Sequence, residues 1–348
     1  METRPLNVLS IGAGAIGTYV GGSLALAGYR VTFLEKPETV ASIRQISVQI
    51  EGSKHSVEKP VLVESIEEAL LQERFDAALL AIKSFDTAAA MQSLAPFAAQ
   101  MPPIICLQNG VENEDMIAAV LGPDKVIPAT VTTAVGRRGP GEIAVERLRG
   151  IGISSQHSLS TRLFQAFYQA GLRPKLFDHP ISMKWSKLLT NLVANATSAI
   201  LAMTPDEIFS DPDLFEVEVR QLKEALAVMR ALGVPVTNLP GTPVKALASA
   251  IRWIPLPILR PLLKKAVVDG RGDKMPSFYI DMQAGRKKSE VDYLNGAVAR
   301  IGAQAGVDAP VNRFLTKTLS GMVSGTIPRD RYMHNPAEFL QDLAAKNG

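Results

Sequence analysis

The chain reads as α/β, an N-terminal Rossmann-type domain over residues 1–178 followed by an all-helical domain over 179–348. Three observations predict it. Val8-Leu9-Ser10-Ile11 suits a buried parallel strand and runs straight into Gly12-Ala13-Gly14-Ala15-Ile16-Gly17. Strand-like and helix-like stretches then alternate as far as Phe177, the pattern of a doubly wound sheet. From Pro180 onward no strand candidate of comparable strength appears, and helical spacing takes over.

The opening strand, tight turn and helix start form the geometry that a dinucleotide pyrophosphate needs. Close backbone approach and free N–H groups at a positive helix end serve the phosphates, and a side chain at Gly12 or Gly14 would obstruct them. Gly17 lets the helix lie close to the strand. A lone G-x-G-x-x-G is weak by itself, but the next strand, Arg30 to Leu34, ends at Glu35, where the fingerprint expects a ribose partner. After Glu35-Lys36-Pro37 comes a helical patch, then the alternating run Ser47 to Glu51, which Gly52 and Ser53 turn into a hairpin. A helix over Ile66 to Glu73 leads into Phe75 to Ile82, whose apolar continuity predicts a central strand covered on both faces. Lys83 stands at its carboxyl end. Ligands of open α/β sheets sit there, so Lys83 reads either as a cofactor contact or as a solvated loop lysine.

A helix over Thr87 to Ala99 precedes the strand Pro103 to Leu107, which stops at Gln108-Asn109-Gly110. Asn109 is another strand-end candidate, although Asn-Gly alone is ordinary turn chemistry. Val126 to Thr133 is one more strand, and Gly136 to Glu146 reads as a hairpin whose tip carries Arg137 and Arg138. The helix Ser160 to Ala170 and the short strand Lys175 to Phe177 close this half.

In the second half one helix is expected over Ser182 to Leu201. Lys187, Asn191 and Asn195 recur every fourth residue along it, and such residues drift only about 40° round a helix, so the three share a face. Their neighbours Leu188, Leu189, Leu192, Val193, Ala194 and Ala196 are apolar. The stripe is either solvated or satisfied by partners or a ligand; on the functional reading it is a proton donor with two amide positioners. Thr204 or Asp206 caps the next helix, and Asp213 to Leu232 is a long amphipathic helix stopped by Gly233. Prolines punctuate residues 235–261. Ser277 and Ser289 are expected caps of two further helices, the second running to Ala305, with Glu290 in its dipole-favoured first turn. The last helix is Val311 to Val323, and the tail from Gly325 reads as polar and peripheral.

Composition narrows the classes. With 348 residues, 47% of them hydrophobic, there is material for two cores. A formal charge of +3 and a pI near 8.9 do not call for nucleic acid, and no basic run interleaves with aromatics. Cys106 is the sole cysteine and lies in an apolar run, so no disulfide framework is expected and a reducing compartment fits. The first strand is expected within a few residues of Met1, so no signal peptide is expected. Prolines and charges break Ile251 to Val268, which argues against a membrane span. A cytoplasmic protein is expected, with Pro257 to Val268 as a candidate homodimer face. The four histidines show no metal-ligand spacing, so no metal is expected, and no Ser-His or Cys-His arrangement supports a nucleophile.

Taken in order, Gly12 to Gly17, Ala81-Ile82-Lys83-Ser84, Gln108-Asn109-Gly110, Trp185 to Asn191 and Ser289 to Gly296 resemble the ketopantoate reductase (2-dehydropantoate 2-reductase) family, from Leu6 to about Val323. The resemblance implies a Rossmann-type domain joined to a helical domain like the C-terminal domain of 6-phosphogluconate dehydrogenase, with substrate in the cleft between them. It implies reduction of ketopantoate to (R)-pantoate by NADPH, on the route to pantothenate and coenzyme A. By position, Lys187 is similar to the catalytic lysine, and Glu290 to the acid that binds the substrate hydroxyl. Asn191, Asn195 and Ser277 match substrate-positioning residues, and Lys83 and Asn109 match cofactor and active-site contacts.

Two departures stand out. Where the family usually has an arginine for the NADPH 2'-phosphate, this chain has Lys36 directly after Glu35, and a carboxylate there suits a free 2'-hydroxyl, so NAD(H) is an alternative to NADP(H). The linker Gly285-Arg286-Lys287-Lys288-Ser289 is one residue longer than usual and more basic. Other readings are a reductase of another branched 2-keto acid, or a non-catalytic NAD(P)-sensing regulator.

Overall fold

Strand β1 (Asn7–Ile11) is buried along its whole length inside an eight-stranded sheet. Val8 points into one core and Leu9 and Ile11 into another. The computed structural model describes residues 4–271 and 274–345. Two compact units divide the chain: Met1–Lys184 with Leu239–Thr242, and Trp185–Asn238 with Pro243–Gly348. The division falls inside a helix, several residues beyond the change of pattern at 178/179.

In the first unit α1 (Ala15–Leu26), β2 (Arg30–Leu34), α2 (Pro37–Val40), the hairpin β3 (Ile46–Ile50) and β4 (Ser53–Val57), and β5 (Val61–Val63) follow β1. Next come α3 (Ile66–Gln72), β6 (Ala77–Leu80), α4 (Thr87–Leu94), β7 (Ile104–Cys106), α5 (Asn113–Leu121) and β8 (Val126–Val131). The hairpin β9 (Ala134–Gly139) and β10 (Glu142–Arg147), then β11 (Ile151–Ser154), α6 (Ser160–Gln169) and β12 (Pro174–Phe177) complete it.

The large sheet has the order β12-β11-β8-β7-β6-β1-β2-β5, with every pair parallel except β8 with β11. Ala77 and Leu79 of β6 face one core, which holds Tyr19, Leu24, Leu163 and Phe167 from α1 and α6. Ala78 and Leu80 face the other, which holds Ile66, Met91, Leu94 and Ile117 from α3, α4 and α5. Burial on both faces is why these strands read as unbroken apolar runs. Cys106 is buried in β7, and that burial pushes its thiol pKa up, so it stays protonated. The two hairpins join in a second sheet, β4-β3-β10-β9, through a parallel β3–β10 pair. Neither β5, β11 nor this joining was expected from the sequence. Leu239–Thr242 returns to this unit, where the Thr132 hydroxyl donates to Pro240 O at 2.8 Å.

The second unit is helical. Helix α7 (Pro180–Leu192) runs across the division, and α8 (Asn195–Leu201), α9 (Pro205–Ser210) and α10 (Pro212–Ala231) follow. Then come α11 (Val244–Trp253), α12 (Leu256–Arg271), α13 (Ser277–Gln283), α14 (Asn295–Gln304), α15 (Pro310–Ser324) and α16 (Pro336–Ala345). Thr204 caps α9 in a reciprocal capping box with Glu207, and Asp211 caps α10. Among the described residues no helix is long and apolar enough to cross a membrane.

Three expectations are corrected here. The single helix over Ser182 to Leu201 is broken at Val193 and Ala194, and Ala194 takes a left-handed φ of 53°. The helix expected from Ser289 to Ala305 is a short 3-10 turn over Glu290–Tyr293 followed by α14. The tail is not peripheral: Tyr332, Phe339 and Leu343 are buried, and the Phe339 ring meets Phe314 edge-on at 5.5 Å. A run of apolar residues too sparse to show a period is hard to read as a packed helix.

Candidate active site

The glycine turn is built to leave backbone exposed. Gly12 has a φ of +98°, and a side chain there would crowd Ile82 and the Ala81 carbonyl. A Cβ on Gly17 would stand 1.8 Å from Gly12 O, so α1 reaches this close to β1 only with glycine. Gly14 differs, since a Cβ there would meet nothing within 4 Å. No protein contact demands its smallness. Gly14 is also the N-cap of α1 and makes no side-chain cap, so the first-turn N–H groups, from Ala15, Ile16 and Gly17, receive no side-chain acceptor from it. Donors of this kind fit a pyrophosphate.

Glu35, half-buried at the end of β2, accepts the Ala13 N–H on Oε1 at 2.7 Å and the Lys36 N–H on Oε2 at 3.1 Å. Its carboxylate therefore lies against the glycine turn. Lys36 is exposed, at the N-cap of α2. Lys83 is half-buried and follows β6 at the N-cap of a short 3-10 turn, Ser84–Asp86.

Asn109 lies in a loop held from several sides. Its carbonyl accepts from Ser84 Oγ at 2.8 Å and from Asn113 Nδ2 at 2.6 Å. Gln108 Nε2 donates to Ile82 O at 3.1 Å and Thr87 Oγ1 at 2.7 Å. The segments after β6 and β7 are thus tied together, and Lys83 and Asn109 each follow the carboxyl end of one of these two neighbouring parallel strands. Beneath them lies Lys184, which the sequence reading passed over.

In the second unit Lys187 is half-buried, and Asn191 follows one turn later on the same face of α7. Asn195 cannot continue that face by helical spacing, because the break precedes it. It reaches the stripe another way. Its Nδ2 donates to the Asn191 carbonyl at 3.1 Å, across the break at the left-handed Ala194. Its Oδ1 accepts the Phe278 N–H at 3.1 Å, and its amide meets Ser277 Oγ at 3.3 Å. Asn195 therefore braces α13 against α8. The expected cap Ser277 is instead the first residue of α13, behind Pro276, and Asn195 supplies the missing acceptor. Ser277 is exposed.

Ser289 does cap the turn that carries Glu290, accepting the Val291 N–H at 3.2 Å. Glu290 is buried, at 3% exposure. Helix α15 packs against both α8 and this turn, which brings the acid and the asparagines into one helical assembly.

The polar groups that set the α7–α8 break escaped the sequence reading. Glu218 of α10, 1% exposed, accepts the Ala194 N–H at 2.7 Å and the Thr197 hydroxyl at 2.6 Å. Gln221 donates to Glu218 at 2.8 Å and accepts from Asn295 at 2.9 Å. Glu224 accepts the Val311 and Asn312 N–H groups at the start of α15 and the Asn312 side chain at 2.7 Å. Burial raises the Glu224 pKa above the usual carboxylate value, against those bonds. In sequence these residues look like the polar side of an amphipathic helix; only a wide helix stripe with Glu218 and Gln221 one turn apart could have hinted otherwise. Among the described residues no group of three or more His, Cys, Asp or Glu side chains is placed to hold a metal ion.

Comparison with known proteins fits both units. A family model described as ketopantoate reductase PanE/ApbA matches residues 8–155, and that for the family's C-terminal domain matches residues 181–323. The 2-dehydropantoate 2-reductase of Archaeoglobus fulgidus is 26% identical over 330 residues, spanning 92% of this chain and 99% of its own. The crystal structure of a PanE/ApbA family ketopantoate reductase from Ralstonia eutropha JMP134 superposes with a TM-score of 0.75 at 26% identity, covering 92% of this chain and 99% of that one. D-mandelate dehydrogenase, in a ternary structure with NADH and anilino(oxo)acetate, shares the fold at a TM-score of 0.74 and 19% identity, with 91% and 98% covered.

Proposed function

Since the chain belongs to the ketopantoate reductase family and is an oxidoreductase, we propose that it reduces the 2-keto group of ketopantoate to give pantoate. The observation that carries this reading is the corner of α7 and α8. A half-buried ammonium, Lys187, precedes Asn191 by one turn, and Asn195 ties Asn191 to Ser277. A lysine and amides gathered beside the wholly buried helix α8 are the residue types that the oxygen atoms of a keto acid would meet.

The bound nicotinamide dinucleotide supplies the hydride. Gly12 to Gly17 and the start of α1 are the groups we assign to its pyrophosphate, with Lys83 and Asn109 contributing at the strand ends. Reduction of a keto group leaves negative charge on oxygen. Lys187 can stabilise that charge and then donate the proton, two roles that neither asparagine amide can combine. Glu290 is assigned to the substrate hydroxyl, while Asn191, Asn195 and Ser277 orient the remainder of the molecule.

NADPH is the coenzyme of the first reading, with Lys36 as the cation for its 2'-phosphate. A second reading, NADH, is favoured by the Glu35 carboxylate, which lies against the Ala13 N–H where a ribose 2'-hydroxyl would be met. A screen of branched 2-keto acids with both coenzymes, scored by kcat/KM, tests these choices. The highest value for ketopantoate supports the substrate assignment, and a higher one for another keto acid replaces it. A clear preference for NADH overturns NADPH and leaves the reductase reading intact. Dinucleotide binding without turnover of any keto acid would instead favour a sensor.

A further inference from the structure

Lys184 has no part in the reaction proposed above, yet its side chain is 4% exposed in the first unit. Its Nζ donates to Gln108 O at 2.6 Å and to Ala129 O at 3.3 Å, lies 2.8 Å from Glu114 Oε1, and approaches Cys106 Sγ at 4.0 Å. Burial alone would push this ammonium's pKa down, but the Glu114 carboxylate beside it outweighs that and holds it above the usual lysine value. As Cys106 stays a thiol, the Glu114 carboxylate is the physical counter-charge.

A buried ion pair is a poor way to gain stability, because an apolar side chain of similar volume often does as well. What an ammonium does that a methionine cannot is fix carbonyl groups at hydrogen-bond distance. The shortest of its bonds falls on Gln108, the residue before Asn109. The next carbonyl, that of Asn109, is held by Ser84 and Asn113, and Gly110 then turns the chain at a φ of 93°. Both peptide groups flanking the Asn109 side chain are therefore clamped. Glu114 follows Asn113 in the first turn of α5, so the charge partner and the second clamp come from one helix end.

We propose that Lys184 is a positioning residue for Asn109, fixing the loop from which that amide reaches the dinucleotide and keto acid. The proposal rests on the assignment of Asn109 to the reaction. Its apolar-isostere test must remove both charges, since a lone buried carboxylate would itself disrupt the site.

A double-mutant cycle on the full chain tests it, combining the paired change Lys184→Met with Glu114→Gln and the single change Asn109→Ala. The paired change lowers kcat/KM about 10- to 100-fold in the natural background, the scale of a misplaced contact group. In the Asn109→Ala background it lowers it less than about twofold, because no amide is left to position. Equal losses in both backgrounds would overturn the proposal and leave Lys184 a structural contact. Amide hydrogen exchange supplies the second readout: the paired variant exchanges faster at 108–113, and unaltered exchange there also overturns it. If Asn109→Ala alone leaves turnover intact, the assignment of Asn109 has failed, while exchange still reports whether Lys184 clamps the loop. Should the paired variant not fold, Lys184→Leu with Glu114→Gln again removes both charges, with a different apolar side chain, and is read by the same two measurements.

Discussion

Lys187 is the residue on which the proposed chemistry depends. Replacing it with alanine removes the only ammonium of the stripe while keeping a good helix former. Lys187→Ala is expected to lower kcat by roughly 100- to 10,000-fold, the usual worth of a positioned proton donor, with the Kd for the reduced dinucleotide changed little. Steady-state turnover beside a fluorescence titration checks this, and a variant with nearly normal kcat would remove Lys187 from the mechanism. At this scale much was legible in the sequence. Lys187 and Asn191 share one helix turn and could be paired by spacing; Glu290 was placed by its capping serine, which the structure retains. Lys184 was not legible, because a lysine near the start of a helix looks the same whether it enters water or an interior cage.

At the scale of elements, the turning point is the interruption between α7 and α8. No glycine or proline announces it, and a non-glycine residue in the left-handed region costs roughly 1 to 2 kcal/mol. The offset comes from another helix. Glu218 accepts the Ala194 N–H, and the Asn195 side chain donates to the Asn191 carbonyl. Removing the carboxylate leaves a buried donor without its partner, so Glu218→Ala should destabilise by about 2 to 3 kcal/mol. Glu218→Gln, which keeps one acceptor oxygen, should cost less. Denaturant unfolding monitored by circular dichroism measures both. Equal stability of Glu218→Ala and the natural protein would show that the break is held by packing alone. Loss of turnover beyond the loss of stability is expected too, since Asn195 begins α8.

Across the molecule, the segment after Gly325 shows how far local pattern can mislead. Its polar composition hides the buried side chains of Tyr332, Phe339 and Leu343, and the Tyr332 hydroxyl donates to Asp342 at 2.6 Å. A large buried aromatic is worth about 3 to 5 kcal/mol on truncation to alanine. Phe339→Ala should therefore lower the apparent Tm of the second unit by several degrees. Calorimetry that found no shift would return the tail to the periphery.

The sequence by itself determined the α/β class, the glycine turn with its acidic strand end, and the succession of central strands. These rest on local geometry and on continuous burial, both of which are written residue by residue. Tertiary structure alone decided that two hairpins join as a separate sheet, that Asn195 reaches its stripe across a break, and that Lys184 lies inside. Each depends on partners 24 to 97 residues away, such as Glu218 for Ala194 and Glu142 for Gln45. Hydrogen bonds over such separations satisfy groups whose need arises only once the chain has packed, so no periodicity records them.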